Sequence, residues 1–173
     1  MHYREENIML LTIFLAIVFC AAITILLISA VAFVQDKRLF SSAPKEAQEA
    51  IKPRKEELFH GARAMGWVLM ILSVLTILGV GVVSIWDGFR SGYSFMGFFL
   101  RFVSIFTIYK AYDMIFFDWF LLCRFHFFQH FYPETSHALS GRKYGFNLKS
   151  QLLKLLIVFP AASALAAWIC TLF

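Results

Sequence analysis

Four charged residues interrupt a long aromatic stretch, roughly Ser94 to Cys123: Arg101, Lys110, Asp113 and Asp118. If the stretch is one membrane-crossing helix, Lys110 and Asp113 lie close to mid-membrane, where a lone charge costs at least ~2.5–3.5 kcal/mol. Each then needs a partner, and the spacing offers one. Residues three apart are neighbours on a helix surface, so Lys110 and Asp113 can pair. Asp118 comes eight residues after Lys110, about 80° around the helix at ~100° per residue. The ammonium can therefore lie between two carboxylates. A buried carboxylate has a raised pKa and can carry protons or bind cations, as transport requires. A carboxylate beside a lysine can also serve as a general base. The third reading is a salt bridge that orients the helix or joins it to another, and one acidic pair does not choose among the three.

The same stretch ends in Arg124-Phe125-His126-Phe127-Phe128-Gln129-His130. His126 and His130 are one helical turn apart, a spacing that can place two imidazoles on one metal. Glu134, His137 and His60, from connecting segments, are the candidates to complete such a site. The pattern resembles one fragment of the histidine boxes of membrane di-iron hydroxylases and desaturases, which carry several; this chain has five histidines in all, His2 among them. Gly79 and Gly81 lie within an apolar run and lack the lysine pattern of a phosphate loop. Cys20, Cys123 and Cys170 sit in apolar sequence at unrelated spacings, so thiol redox chemistry and a cysteine metal site are not expected. No cofactor is expected.

The elements that must carry these residues follow from composition. Of 173 residues, 60% are hydrophobic and 16% charged, and 21 are Phe; soluble domains run about 45–50% apolar and about 25% charged. The charges cluster between long uncharged runs. Ile8 to Val34 and Ala64 to Trp86 contain none, and Leu152 to Phe173 only Lys154. At ~1.5 Å per residue each exceeds the ~30 Å hydrocarbon core. With Ser94 to Cys123 they make four expected spans. Ala30-Val31-Ala32 looks like a signal-peptide cleavage site, but the apolar run is far longer than a signal core and the segment before it, with His2, Arg4, Glu5 and Glu6, is not positively charged. A retained first helix is expected.

Basic residues set the orientation. Seven lie between Gln35 and Arg63 (Lys37, Arg38, Lys45, Lys52, Arg54, Lys55 and Arg63), and five between Arg124 and Lys154 (Arg124, Arg142, Lys143, Lys149 and Lys154). The opposite side has Arg4 and Arg90. This asymmetry puts both connections in the cytoplasm and both termini outside. The net charge of +5 is then a membrane-surface feature that attracts lipid headgroups, not a nucleic-acid footprint.

Within the first connection, Ser42 can cap a short helix with Pro44 in its first turn, and Pro53 interrupts it. Its mixed charges suggest a solvated face at headgroup level. The first helix, without internal charge, is expected to face lipid. Gly66, Ser73, Thr76, Gly79 and Gly81 in the second, and Ala162, Ser163, Ala166 and Ala167 in the fourth, let backbones approach, which places those helices inside. Pro160 should kink or unwind the fourth. Twelve Phe lie between Phe95 and Phe131, either as bulky packing or as a wall for a flat or long apolar ligand.

Asp113 to Cys123, with Asp118 and Trp119, resembles the acidic-tryptophan helix of small uncharacterised four-helix membrane proteins of Gram-positive bacteria. Pro133-Glu134-Thr135, the basic-aromatic patch Arg142 to Phe146 with Lys149, and Gly61 to Trp67 extend the likeness over about the last two-thirds of the chain. It implies a bacterial plasma-membrane protein and singles out Asp113, Asp118, Trp119, Lys143 and Tyr144, without implying an activity. The paired histidines are not part of that pattern. The expected fold is all-α, an integral membrane four-helix bundle with a short cytoplasmic helical segment between helices 1 and 2. Three functions stay open: an accessory or interaction protein, a small oligomeric ion-coupled transporter using Asp113 and Asp118, and a lipid-directed enzyme at the cytoplasmic interface using Asp118, His126, His130 or Lys143. The partners implied are membrane lipids and either a second copy or another membrane protein.

Overall fold

The computed structural model describes residues 2–40, 45–52, 54, 56–141 and 148–173. Every regular element among them is helical. The helix α1 (His2–Ile28) continues into a π turn, Ser29–Val34; α2 is Lys45–Ala50 and α3 is Ala62–Arg90. Next, α4 (Phe95–Tyr112) runs on as a π segment, Asp113–Arg124, followed by short α5 (Phe127–Phe131) and α6 (Ser136–Leu139). The chain ends with α7 (Leu148–Leu153), a π turn Lys154–Val158 and α8 (Phe159–Cys170). Four stretches are long and apolar enough to cross a membrane: Ile8–Val34, Ala62–Arg90, Phe95–Arg124 and Lys149–Cys170. The π turn before α8 ends two residues before Pro160. Proline has no N–H to donate and its ring crowds the carbonyl four residues back, and a wider turn relieves that crowding while the helix continues. Ser42, Pro44 and Pro53 lie outside the described residues.

The helices divide between two compact units. The first holds Met1–Ala22, Leu75–Tyr112 and Lys149–Phe173. In it α4 packs against α8, where Ala167 and Cys170 meet Phe98 and Phe102, while Leu15 and Ala16 of α1 meet Val80 and Ile105. Phe106 stacks on Phe159, and Phe19 sets its edge against Phe106 and Tyr109. These phenyl rings of α4 are bulky packing within the protein; Phe98 alone touches Phe89, Tyr93 and Phe102. Gly88 makes room for it, since a Cβ there would collide with the Phe98 ring.

The second unit holds Ile23–Val74 and Asp113–Leu148. Its core joins the two connections: Val31, Phe40, Ala47 and Ile51 pack with Leu122, Phe128, Tyr132 and Leu139. Gly66 lets α3 approach the π turn at Phe33 and Val34, where a Cβ would come within 2.8 Å of both side chains. The first connection thus has a buried apolar side as well as the charged face expected from its sequence. Lys37, Arg38, Lys45, Glu46, Glu49, Lys52, Glu56 and Glu57 are exposed, while Phe40, Ala47 and Ile51 are buried.

The spans differ in how far this chain covers them. In their most apolar stretches the first and third are each 28% buried, against 17% for α3 and 11% for the last. Most of each stretch is left uncovered by this chain, yet the small residues Ser163 and Ala167 of α8 are fully buried, Ala167 against Phe98 and Phe102 of α4. Small residues permit close approach without requiring it. Gly79 and Gly81 have no atom within 4 Å of where a Cβ would stand, whereas Gly66 and Ser73 of the same helix are covered.

Candidate functional site

One buried and fully engaged charge was not among the candidates drawn from spacing. Arg101, 2% exposed, lies in the first unit two turns into α4. The preceding turn puts it there. Gly92, at φ +66°, ends α3 in a Schellman motif: Tyr93 N–H donates to the Gly88 carbonyl and Gly92 N–H to that of Phe89. The reversal brings Asp87, near the end of α3, opposite Arg101, near the start of α4. One guanidinium nitrogen, Nη1, donates to Asp87 Oδ2 at 2.7 Å and to the Ser84 carbonyl at 3.2 Å. Nη2 donates to the Tyr93 hydroxyl at 2.6 Å, and Nε to Thr12 Oγ1 at 3.3 Å. The cation also lies 4.7 Å from the centre of the Tyr93 ring. Charge is neutralised by Asp87, and four acceptors meet the planar fork of donors, which is what a guanidinium needs on leaving water. Opposite charges flanking Ser91-Gly92 were the available signal, a turn pair between two apolar runs.

Lys110 lies in the last turn of α4 and is 3% exposed. Asp113 and Asp118 are half-buried in the π segment of the second unit, and Trp119 beside them is exposed. Here the helical period assumed from sequence changes. In an α-helix, residues five apart point about 140° from each other. In π geometry the i→i+5 bond closes the turn, so Asp113 and Asp118 come to neighbouring places on one face. The α-helical angle expected between Lys110 and Asp118 therefore does not apply.

The paired histidines are separated from the segment before them by a break in the helix. His126, at φ +53°, precedes α5, and both His126 and His130 are exposed. Glu134, expected as a further ligand, is engaged elsewhere. Among the described residues, no group of three His, Cys, Asp or Glu is placed to hold a metal. Lys143 and Tyr144 lie outside the described residues.

Glu134 instead closes a clamp in the second unit. Arg54 Nη2 donates to both of its carboxylate oxygens, at 3.1 and 2.9 Å, and to the Phe131 carbonyl at 2.9 Å; Lys52 N–H donates to Oε1 at 3.2 Å. Arg63 in turn donates to the Arg54 carbonyl. Below them Tyr132 is fully buried, its ring between Phe40 and Phe128 and its hydroxyl donating to the Val31 carbonyl at 3.3 Å. Burial pushes the Tyr132 hydroxyl far above the usual phenol range. Desolvation raises the Glu134 carboxyl, but its own backbone N–H, that of Lys52 and the Arg54 guanidinium outweigh it and hold the group below its ordinary value. A depressed carboxylate contributes stability that is complete above the unfolded pKa, about 4.5, and is lost as pH falls through the folded value. Exchange of the Lys52 amide hydrogen, corrected for its intrinsic rate, should therefore accelerate on acidification below that point. Unchanged protection would show that the clamp does not hold the segment.

Comparison of the chain with protein-family models, with curated proteins and with solved structures finds no match.

Proposed function

We propose that this chain is a polytopic bacterial plasma-membrane protein of the accessory or interaction class, with both termini outside and its intramembrane charges serving the fold. The observation that carries this reading is the Arg101 site. A buried cation whose donors meet a carboxylate, a hydroxyl on each of two residues and a carbonyl is committed to holding segments together. The four apolar spans support the membrane, and the excess of bases in the two long connections supports the orientation. The resemblance to small four-helix proteins of Gram-positive bacteria supports the plasma membrane of such a cell. Its partners on this reading are membrane lipids and another membrane protein.

A second reading, a small oligomeric ion-coupled protein, is favoured by one feature: the π register that brings Asp113 and Asp118 to one face. Segments of this kind occur frequently at functional sites. The two readings separate on Asp113→Asn. If the carboxylate is structural, the variant melts lower in detergent and proteoliposomes carry no proton or sodium flux before or after the change. Flux in the wild type that Asp113→Asn abolishes, with melting unaltered, selects the ion-coupled reading.

A further inference from the structure

The exposed aromatic surface of the third span does not stop where the helix stops. Phe116 stacks on Phe120 with ring centres 5.7 Å apart, and Phe120 stacks on Phe125 at 6.1 Å and 17°. Phe125 N–H donates to the Phe120 carbonyl at 2.7 Å, one residue beyond the end of the π segment. At the next residue the backbone enters the left-handed region, at His126. The chain turns away there and leaves Phe125 64% exposed. A phenylalanine that open at a helix end is costly against water. Here it is the last rung of a ladder whose upper rings belong to a membrane span, so the medium that covers Phe120 continues over Phe125.

Beside it Arg124 is exposed. From Trp119 to Tyr132 there is no acidic residue, while Arg124, His126 and His130 all point outward by their exposure. An apolar ring at the depth of the acyl chains and an arginine free to reach the adjoining polar layer form a pairing suited to a phosphate-bearing lipid. We propose that Phe125 is inserted in the bilayer and that Arg124 binds the headgroup phosphate of an anionic phospholipid at that level. This rests on the reading of Phe95–Arg124 as a membrane span.

The test is photo-crosslinking of the full chain in vesicles of phosphatidylcholine with about 30% phosphatidylglycerol, a composition that mimics an anionic leaflet. The photoreactive amino acid p-benzoylphenylalanine replaces Phe125, or Leu78 as a control on the exposed side of α3. Lipid adducts are then weighed. The expected result is adducts at both positions, with phosphatidylglycerol enriched about fivefold over its bulk share at position 125 alone. Arg124→Gln should return that share to bulk. Salt at ~1 M, which screens the attraction, should lower it without any substitution. Adducts at position 78 but none at 125 overturn the insertion of Phe125. Adducts at 125 in the bulk ratio overturn the anionic headgroup. Absence of adducts at both positions overturns the insertion of the chain in the bilayer, on which the proposal rests.

Discussion

Replacing Arg101 by Met should lower the stability of the first unit by about 3–5 kcal/mol, the cost of removing one member of a buried ion pair. Most of that loss comes from what remains. Asp87 would keep a charge with no cation opposite it, and the Tyr93 hydroxyl, the Ser84 carbonyl and Thr12 would each lose a donor. Asp87→Asn alone should also destabilise, by stranding the guanidinium. Combining the two should cost clearly less than their sum, because the second change removes the charge that the first one orphaned. Melting in detergent, followed by size-exclusion chromatography of the heated sample, gives all three values. Strictly additive losses would mean that the 2.7 Å contact contributes no coupling.

The second large effect belongs to the other unit. Tyr132→Ala should cost about 3–5 kcal/mol, as deletion of a buried aromatic ring does. The ring stands between Phe40 and Phe128, with centres 5.1 and 5.0 Å away, and carries the Arg54 cation 5.5 Å from its own centre. Its loss would leave a cavity bounded by both connections. Tyr132→Phe keeps the ring and removes only the bond to the Val31 carbonyl, so about 1 kcal/mol is expected. Limited proteolysis of the connections should rise steeply for the first variant and slightly for the second. Equal protection in both would show that the ring does not join them.

The spans were legible because length and hydropathy are local properties. Ile8 to Val34 is a run without charge and is also the first membrane-length stretch of the structure. The second span extends past Trp86 to Arg90, since a Schellman motif rather than the loss of apolar residues ends it. Lys110, Asp113 and Asp118 stand out in the third span because each is costly alone, yet their angular relation rests on an α period that gives way to π at Asp113. The role of Arg101 is hidden in the sequence for a different reason. Its partners come from α1, α3 and the turn, and only the folded hairpin brings Thr12 and Asp87 to one guanidinium. The clamp is equally non-local, with Arg54 and Glu134 eighty residues apart. Exposure was the least legible property. Glycine at 79 and 81 has the same composition whether a neighbouring helix or lipid lies against it.

The most direct test of an accessory or interaction role is native mass spectrometry of the chain extracted from its membrane in a mild detergent. The expected spectrum shows one copy per particle, without bound metal, alone or joined to a different protein. A symmetric homo-oligomer would contradict that role and direct attention to the shared face of Asp113 and Asp118 as an ion path.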